Sequence, residues 1–216
     1  DHNGSRGLGD VYKRQLLSIV FNIHMTNQNI PKKILYWYDN NKRALPWRKK
    51  VSKKKQEYFT LVSEFMLQQT QVKTVIPYFE KFIKEFPNLK SLAKSSDHKI
   101  LKNWEGLGYY SRARNLKKTA IKLLKDYKGE LPEDIETLKS LPGIGEYTSR
   151  SILAIAHNKP YIPMDGNVER ILKRVFLLKT DYEISKENLN KNKYFFGFSK
   201  SSSDYEQAIM EIGALI

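Results

Sequence analysis

The chain has no cysteine among its 216 residues. Within this stretch disulfides, thiolate nucleophiles and cysteine-ligated metals are excluded. Histidine is scarce as well: four residues, scattered, do not suggest a histidine metal site. No apolar run approaches the roughly 20 residues that a membrane-spanning helix requires. Convincing apolar–polar alternation is missing, and so is any internal repeat. Acidic residues are outnumbered, with 23 Asp and Glu against 38 Lys and Arg, for a net charge of +15. A chain this basic is attracted to polyanions, nucleic acid first, although its lysines are spread everywhere rather than along one face. The densest basic stretch, Lys42-Arg43 through Arg48-Lys49-Lys50 to Lys53-Lys54-Lys55, reads as a solvated loop.

What is present is helical periodicity. The length allows one large domain or two small ones around a real core. Apolar residues recur at helical spacing in Ile34 to Asn40, Tyr58 to Gln71, Val72 to Phe86 and Asp97 to Trp104. The same holds for Ser111 to Tyr127, a short segment carrying Ile135, Leu138 and Leu141, then Thr148 to His157, Val168 to Leu178 and Tyr205 to Ile216. Connectors around Pro87, Gly106-Leu107-Gly108 and Gly129 are short. The expected class is all-α, a compact helical array. Lys179 to Ser203 is polar and expected to be irregular in part. Residues 1–24 hold glycines and a short apolar run, Leu16 to Ile23, behind Lys13-Arg14. No small-residue cleavage site follows, so they are expected to be a non-native or disordered leader, with Met25 as the start. The last helix pattern stops without a C-cap signal, and the chain is expected to be a fragment cut inside a domain.

Five short segments bear on chemistry. Leu141-Pro142-Gly143-Ile144-Gly145-Glu146-Tyr147-Thr148 lies between two helix patterns and reads as the turn of a helix-hairpin-helix. Pro142 fixes φ, and Gly143 and Gly145 allow torsions that other residues avoid. Free N–H groups at the following helix start form a phosphate site, unless the turn is an ordinary glycine-rich corner. Glu64 sits among apolar neighbours, Phe59 to Leu67. It is either on a narrow exposed stripe or lines a pocket, where enclosure raises a carboxyl pKa and lets it donate a proton. Gln68, Gln69, Thr70 and Gln71 follow, amides suited to base edges. Asp165, in Met164-Asp165-Gly166-Asn167-Val168-Glu169-Arg170, is a natural N-cap and equally a carboxylate for a developing positive charge. Gly106 to Asn115 sets Tyr109 and Tyr110 on a tight turn, with Arg112 and Arg114 behind. An aromatic there can wedge between bases and the arginines can hold phosphates, or the tyrosines pack in a core. Trp47-Arg48, beside lysines, can touch DNA or pack.

Taken in order, LPWR, SEFMLQQTQV, GLGYYSRARNL, LPGIGEYT and MDGNVER closely resemble the adenine DNA glycosylases, the MutY family of the helix-hairpin-helix superfamily, over about residues 30–216. The resemblance implies a monofunctional enzyme that extrudes adenine mispaired with 8-oxoguanine or guanine and hydrolyses its N-glycosidic bond. It implies Glu64 as general acid, Asp165 as stabiliser of an oxocarbenium-like sugar, and Tyr147 and Asn167 as supporting pocket residues. Gln69 and Tyr109 match residues inserted into the duplex, Gly143 and Gly145 the phosphate-holding hairpin. Gln68, Thr70, Arg112, Arg114, Trp47 and Arg48 complete the expected DNA-binding set. The implied fold is two helical domains. A six-helix barrel with the hairpin spans residues 56–159, and a terminal domain combines 25–55 with 160–216. That second domain usually carries a [4Fe-4S] cluster, whose cysteines and a further 8-oxoguanine-reading domain would follow Ile216; no metal ligand is expected in this chain. The implied setting is a monomer on double-stranded DNA at the nucleoid, in bacterial cytoplasm, with no membrane partner. A bifunctional glycosylase/lyase of the endonuclease III type is the nearest rival. It needs a lysine in the hairpin for a Schiff base, where this chain has Tyr147. A non-catalytic hairpin module would need neither Glu64 nor Asp165.

Overall fold

A computed structural model describes residues 30–175 and 202–215, and among them no strand occurs. The leader expectation for residues 1–24 lies outside the described residues. So does the expectation for Lys179 to Ser203, apart from Ser202 and Ser203. The chain divides into two compact units, Ala44–Tyr161 and the combination of Asp1–Arg43 with Ile162–Ile216.

In the described part of the terminal unit, α1 (Ile30–Asn41), α9 (Gly166–Val175) and α10 (Ser202–Leu215) pack together, α10 against both others. Their shared core is Ile34, Tyr38, Val168, Tyr205, Ala208, Ile209 and Ile212. Glu211 faces inward on α10 and is fully enclosed. It accepts from the Arg43 backbone N–H at 3.2 Å, from Nη2 at 3.0 Å and from Nε, a two-pronged ion pair that compensates the buried charge.

The Ala44–Tyr161 unit is built around α2 (Lys53–Leu67), which is buried on every side from Glu57 to Met66. Around it stand α3 (Val72–Glu85), α4 (Leu89–Lys94), α5 (Asp97–Trp104), α6 (Ser111–Asp126), α7 (Ile135–Lys139) and α8 (Glu146–His157). α2 packs on α3, α6 and α8, and α4 on α6. Val75, Phe79 and Phe82 recur at helical spacing on α3 and turn one face into the core. There Phe82 meets Trp104 edge-on at 5.8 Å and Phe79 meets Trp47 at 5.3 Å.

Three boundaries differ from the sequence expectation. Residues 44–55 were expected with the terminal domain, yet Leu45 and Trp47 are buried in the α2 core, and Gln56 ties its side-chain amide to the Trp47 carbonyl at 3.2 Å. α2 starts five residues before Tyr58, because its first turn is solvated and carries no apolar period. It ends at Leu67, because Gln69 takes a left-handed φ of 56° that no helix continues through. α4 was not expected at all: six residues are too few for a period. A capping box marks its start, the Asn88 side chain accepting from the Ser91 N–H while the Ser91 hydroxyl serves the Asn88 N–H.

Candidate active site

Glu64 stands in the last third of α2 and is 6% exposed. The exposed-stripe alternative is removed. The carboxylate is held within an apolar helix, with Leu61, Phe65 and Met66 fully enclosed beside it. A carboxyl group so placed is shielded from bulk water.

The polar residues that end α2 divide into distinct tasks. Gln68 turns inward, its Nε2 donating to the Gly143 carbonyl at 3.2 Å and to Thr148 Oγ1 at 3.3 Å. It thereby ties the end of α2 to the hairpin. Gln69 projects outward from its left-handed backbone. Thr70 closes the turn, its N–H donating to the Leu67 carbonyl at 3.1 Å.

The hairpin joins α7 to α8. Asp134 caps α7 by accepting from the Thr137 N–H at 2.8 Å, and these bonds hold its carboxyl below the ordinary range. Gly143 has φ 80° and faces solvent. A Cβ there would come within 2.8 Å of Asn115 Cβ and Phe65 Cε1, so the turn must be glycine both for its torsion and for its contact. Thr119 Oγ1 donates to the Pro142 carbonyl at 2.8 Å and Lys122 Nζ to the Ser140 carbonyl at 3.1 Å. Gly145 is the N-cap of α8 and is open to solvent, leaving first-turn N–H groups for an anion. Glu146 shares that turn, but Arg150 at 2.7 Å and Lys139 at 3.2 Å neutralise it and lower its pKa. Tyr147 follows, half-buried.

The Gly106–Gly108 loop brings up Tyr109, 62% exposed at φ 47°, and Tyr110, 40% exposed. The core-packing alternative for this pair does not hold. Gly106, at φ 94°, lies against the Tyr78 ring hydroxyl, where any Cβ would clash.

In the terminal unit, Asp165 caps α9. Its Oδ1 accepts from the N–H groups of Asn167 at 2.9 Å and Val168 at 2.8 Å, and its Oδ2 from Asn167 Nδ2 at 3.0 Å. The N-cap reading holds: three donors orient one carboxylate. Arg170 Nη1 donates to Asn167 Oδ1 at 3.2 Å and also to the Gly213 carbonyl of α10.

Residues 62–193, more than half of the chain, match the family described as HhH-GPD superfamily base excision DNA repair protein. The chain belongs to the HhH-GPD superfamily. It is 41% identical over 193 residues to the adenine DNA glycosylase of Buchnera aphidicola subsp. Baizongia pistaciae, covering 89% of this chain and 54% of that one. The chain thus spans about half the length of this curated relative. A thermostable thymine-DNA glycosylase shares the fold with a TM-score of 0.72 at 23% identity, covering 88% of this chain and 87% of that one. Endonuclease III in a non-covalent DNA complex does so with 0.66 at 19%, covering 86% and 84%.

On this HhH-GPD scaffold two expected DNA contacts are corrected. Trp47 is 7% exposed and packs edge-on against Phe79, so its indole serves the core. Arg112 is buried and its two terminal nitrogens grip main-chain carbonyls, so it presents no edge to a phosphate at the surface. Arg48 is half-buried, whereas Arg114 is exposed on α6. Sequence reasoning missed Asn115, Thr119 and Lys122 as supports of the hairpin. Their spacing of four and three residues on α6 was the available signal. It also missed Arg170 and Gly213 behind Asn167, which no local pattern announces. Among the described residues no group of His, Asp or Glu could hold a metal ion. Without cysteine the 216 residues supply no thiolate for an iron–sulfur cluster. No described helix is long and apolar enough to cross a membrane.

Proposed function

We propose that this chain carries the base-removing chemistry of a monofunctional adenine DNA glycosylase acting on adenine opposite 8-oxoguanine or guanine in duplex DNA. The observation that carries the reading is the burial of Glu64 in a helix whose end is tied by Gln68 to a phosphate-type hairpin. The adenine glycosylase relatives support the choice of base.

In this reading the adenine nucleotide leaves the stack, while hairpin N–H groups near Gly143 and Gly145 and the Arg114 guanidinium hold backbone phosphates. Gln69 and Tyr109 enter the space that the extruded nucleotide leaves. Glu64 gives its proton to an adenine ring nitrogen as the N-glycosidic bond breaks, and the bonding electrons leave with the neutral base. The sugar becomes an oxocarbenium-like cation, which the oriented Asp165 carboxylate stabilises, with Asn167 fixing that carboxylate. Water adds to the sugar carbon and returns a proton to Glu64. The product is an abasic site on an uncut strand, since Tyr147 supplies no amine for a Schiff base. Tyr147 lines the base pocket. The enzyme works as a monomer at the bacterial nucleoid.

The test is single-turnover excision by the full-length protein on an adenine:8-oxoguanine duplex. Glu64→Gln lowers the rate by roughly a hundred- to ten-thousand-fold with duplex binding retained. Strand breaks appear only after alkali, and borohydride traps little covalent complex. Near-normal excision by Glu64→Gln ends the assignment. Efficient borohydride trapping favours the lyase.

A further inference from the structure

Arg112 is 6% exposed, yet none of the hydrogen bonds from its two terminal nitrogens goes to a carboxylate. They all go to main-chain carbonyls, divided between the C-terminal end of α2 and the Gly106–Gly108 loop. Nη1 donates to the carbonyls of Phe65 at 3.2 Å, Met66 at 2.7 Å and Gln68, at the end of α2. Nη2 donates to those of Leu107 at 3.1 Å and Gly108 at 3.2 Å. The guanidinium carbon lies 5.5 Å from the ring centres of both Trp104 and Tyr109. Trp104 adds its own indole N–H to the Gly108 carbonyl at 3.1 Å.

The residues just beyond the two grips share an unusual property. Gln69 follows the gripped Gln68 carbonyl, and Tyr109 follows the gripped Gly108 carbonyl. Both are exposed, and both hold a left-handed backbone without being glycine, at φ 56° and 47°. Side chains persist in that region only where their surroundings over-determine them. A cation at the end of α2 also meets carbonyls that the helix leaves unpaired.

We propose that Arg112 is a positioning residue that sets the separation and aim of Gln69 and Tyr109 for joint entry into the duplex. The inference rests on the reading of those two residues given under Proposed function. One planar fork spans the end of α2 and the Gly106–Gly108 loop at once; an ammonium is a single point and cannot hold two edges. The two tips therefore act as one device, and what Arg112 contributes to DNA is transmitted wholly through them.

A double-mutant cycle in the full-length protein tests this. Two quantities are read: single-turnover adenine excision, and duplex distortion from the fluorescence of 2-aminopurine placed beside the mispair. Arg112→Lys lowers both about tenfold in the parent. In a Gln69→Ala/Tyr109→Ala background the same change lowers neither by more than about twofold, because the tips it positions are gone. Equal losses in the two backgrounds, or no loss in the parent, overturn the proposal, since a merely structural arginine weakens every background alike. If Arg112→Lys does not fold, Gly108→Ala takes its place. Its φ of 73° strains a side chain although nothing lies within 4 Å, so the gripped carbonyl shifts while the buried cation stays. The same dependence on background is expected, and its absence is equally fatal. A parent that distorts mispaired duplex but releases no adenine removes the base-excision reading and leaves the cycle readable by fluorescence.

Discussion

A methyl group meets very different surroundings at the two glycines of the hairpin. At Gly143 it would press on Asn115 and Phe65 at 2.8 Å, on a backbone at φ 80°. At Gly145 it meets nothing within 4 Å, on an extended backbone at φ −96°. Gly143→Ala therefore costs about 2 kcal/mol or more, combining left-handed strain with overpacking. Gly145→Ala costs under about 1 kcal/mol. Thermal unfolding and duplex binding of the two variants check this, and comparable damage from both contradicts the steric account. The sequence pattern named both glycines but could not rank them, because the ranking lies in Asn115 and Phe65, far away in the chain. The same limit explains Arg112 and Trp47. A basic residue near a glycine turn, or an aromatic one beside lysines, looks like a DNA contact until the fold shows which carbonyls or rings it meets. Asp165 was legible because a cap is local, its donors lying two and three residues ahead.

At the scale of elements, long helices were legible from period alone, and the buried α2 was legible as a helix although its ends were not. What the pattern could not show is how closely two helices approach. In the terminal unit Gly213 of α10 lies directly on the start of α9. A Cβ on it would sit 2.5 Å from the Asn167 carbonyl oxygen and 2.7 Å from Asn167 Cβ. Since the obstacle includes backbone, it cannot swing aside as a flexible side chain would. Gly213→Ala forces α10 away from α9 at a cost of about 1–3 kcal/mol. It also displaces Asn167, and with it the Asp165 carboxylate that Asn167 holds. On the role proposed for Asp165, excision falls roughly a hundredfold, because small misplacements of a reacting group are amplified in rate. Duplex binding changes little. Gly166→Ala, at the start of α9 with open space around it, serves as the control. Unchanged excision by Gly213→Ala would show that Asn167 and Asp165 are held by other means.

At the scale of the whole molecule, the net charge of +15 favours polyanions at any neutral pH, whereas the response of the Ala44–Tyr161 unit to acid involves several groups whose pKa the fold shifts. His157 ends α8 with its side chain 2% exposed and neither ring nitrogen hydrogen-bonded. Burial pushes its pKa below the ordinary 6.5; Glu133, 3.6 Å away, opposes this, and Lys53 and Lys159 add to it. Below pH 6.5 the unfolded chain then takes up a proton that the folded one refuses, so stability falls with pH from that point down to the folded pKa. Glu57 has the opposite sign. Burial raises it above 4.5 against the pull of Lys53, so acidification between 4.5 and that raised value favours the folded state. The exposed Glu133, Asp134 and Glu146 are all lowered by their partners, Lys159, Thr137 and Arg150 first. What they contribute is lost only as pH falls below the ordinary carboxylate range. Among these groups, then, only His157 destabilises the fold on acidification from pH 6.5 to 5. Unfolding temperatures measured across that interval fall in the parent, and the fall is reduced in His157→Leu, which keeps an apolar group of similar size and removes the titration. Parallel slopes in the two proteins would mean that the early acid loss arises elsewhere.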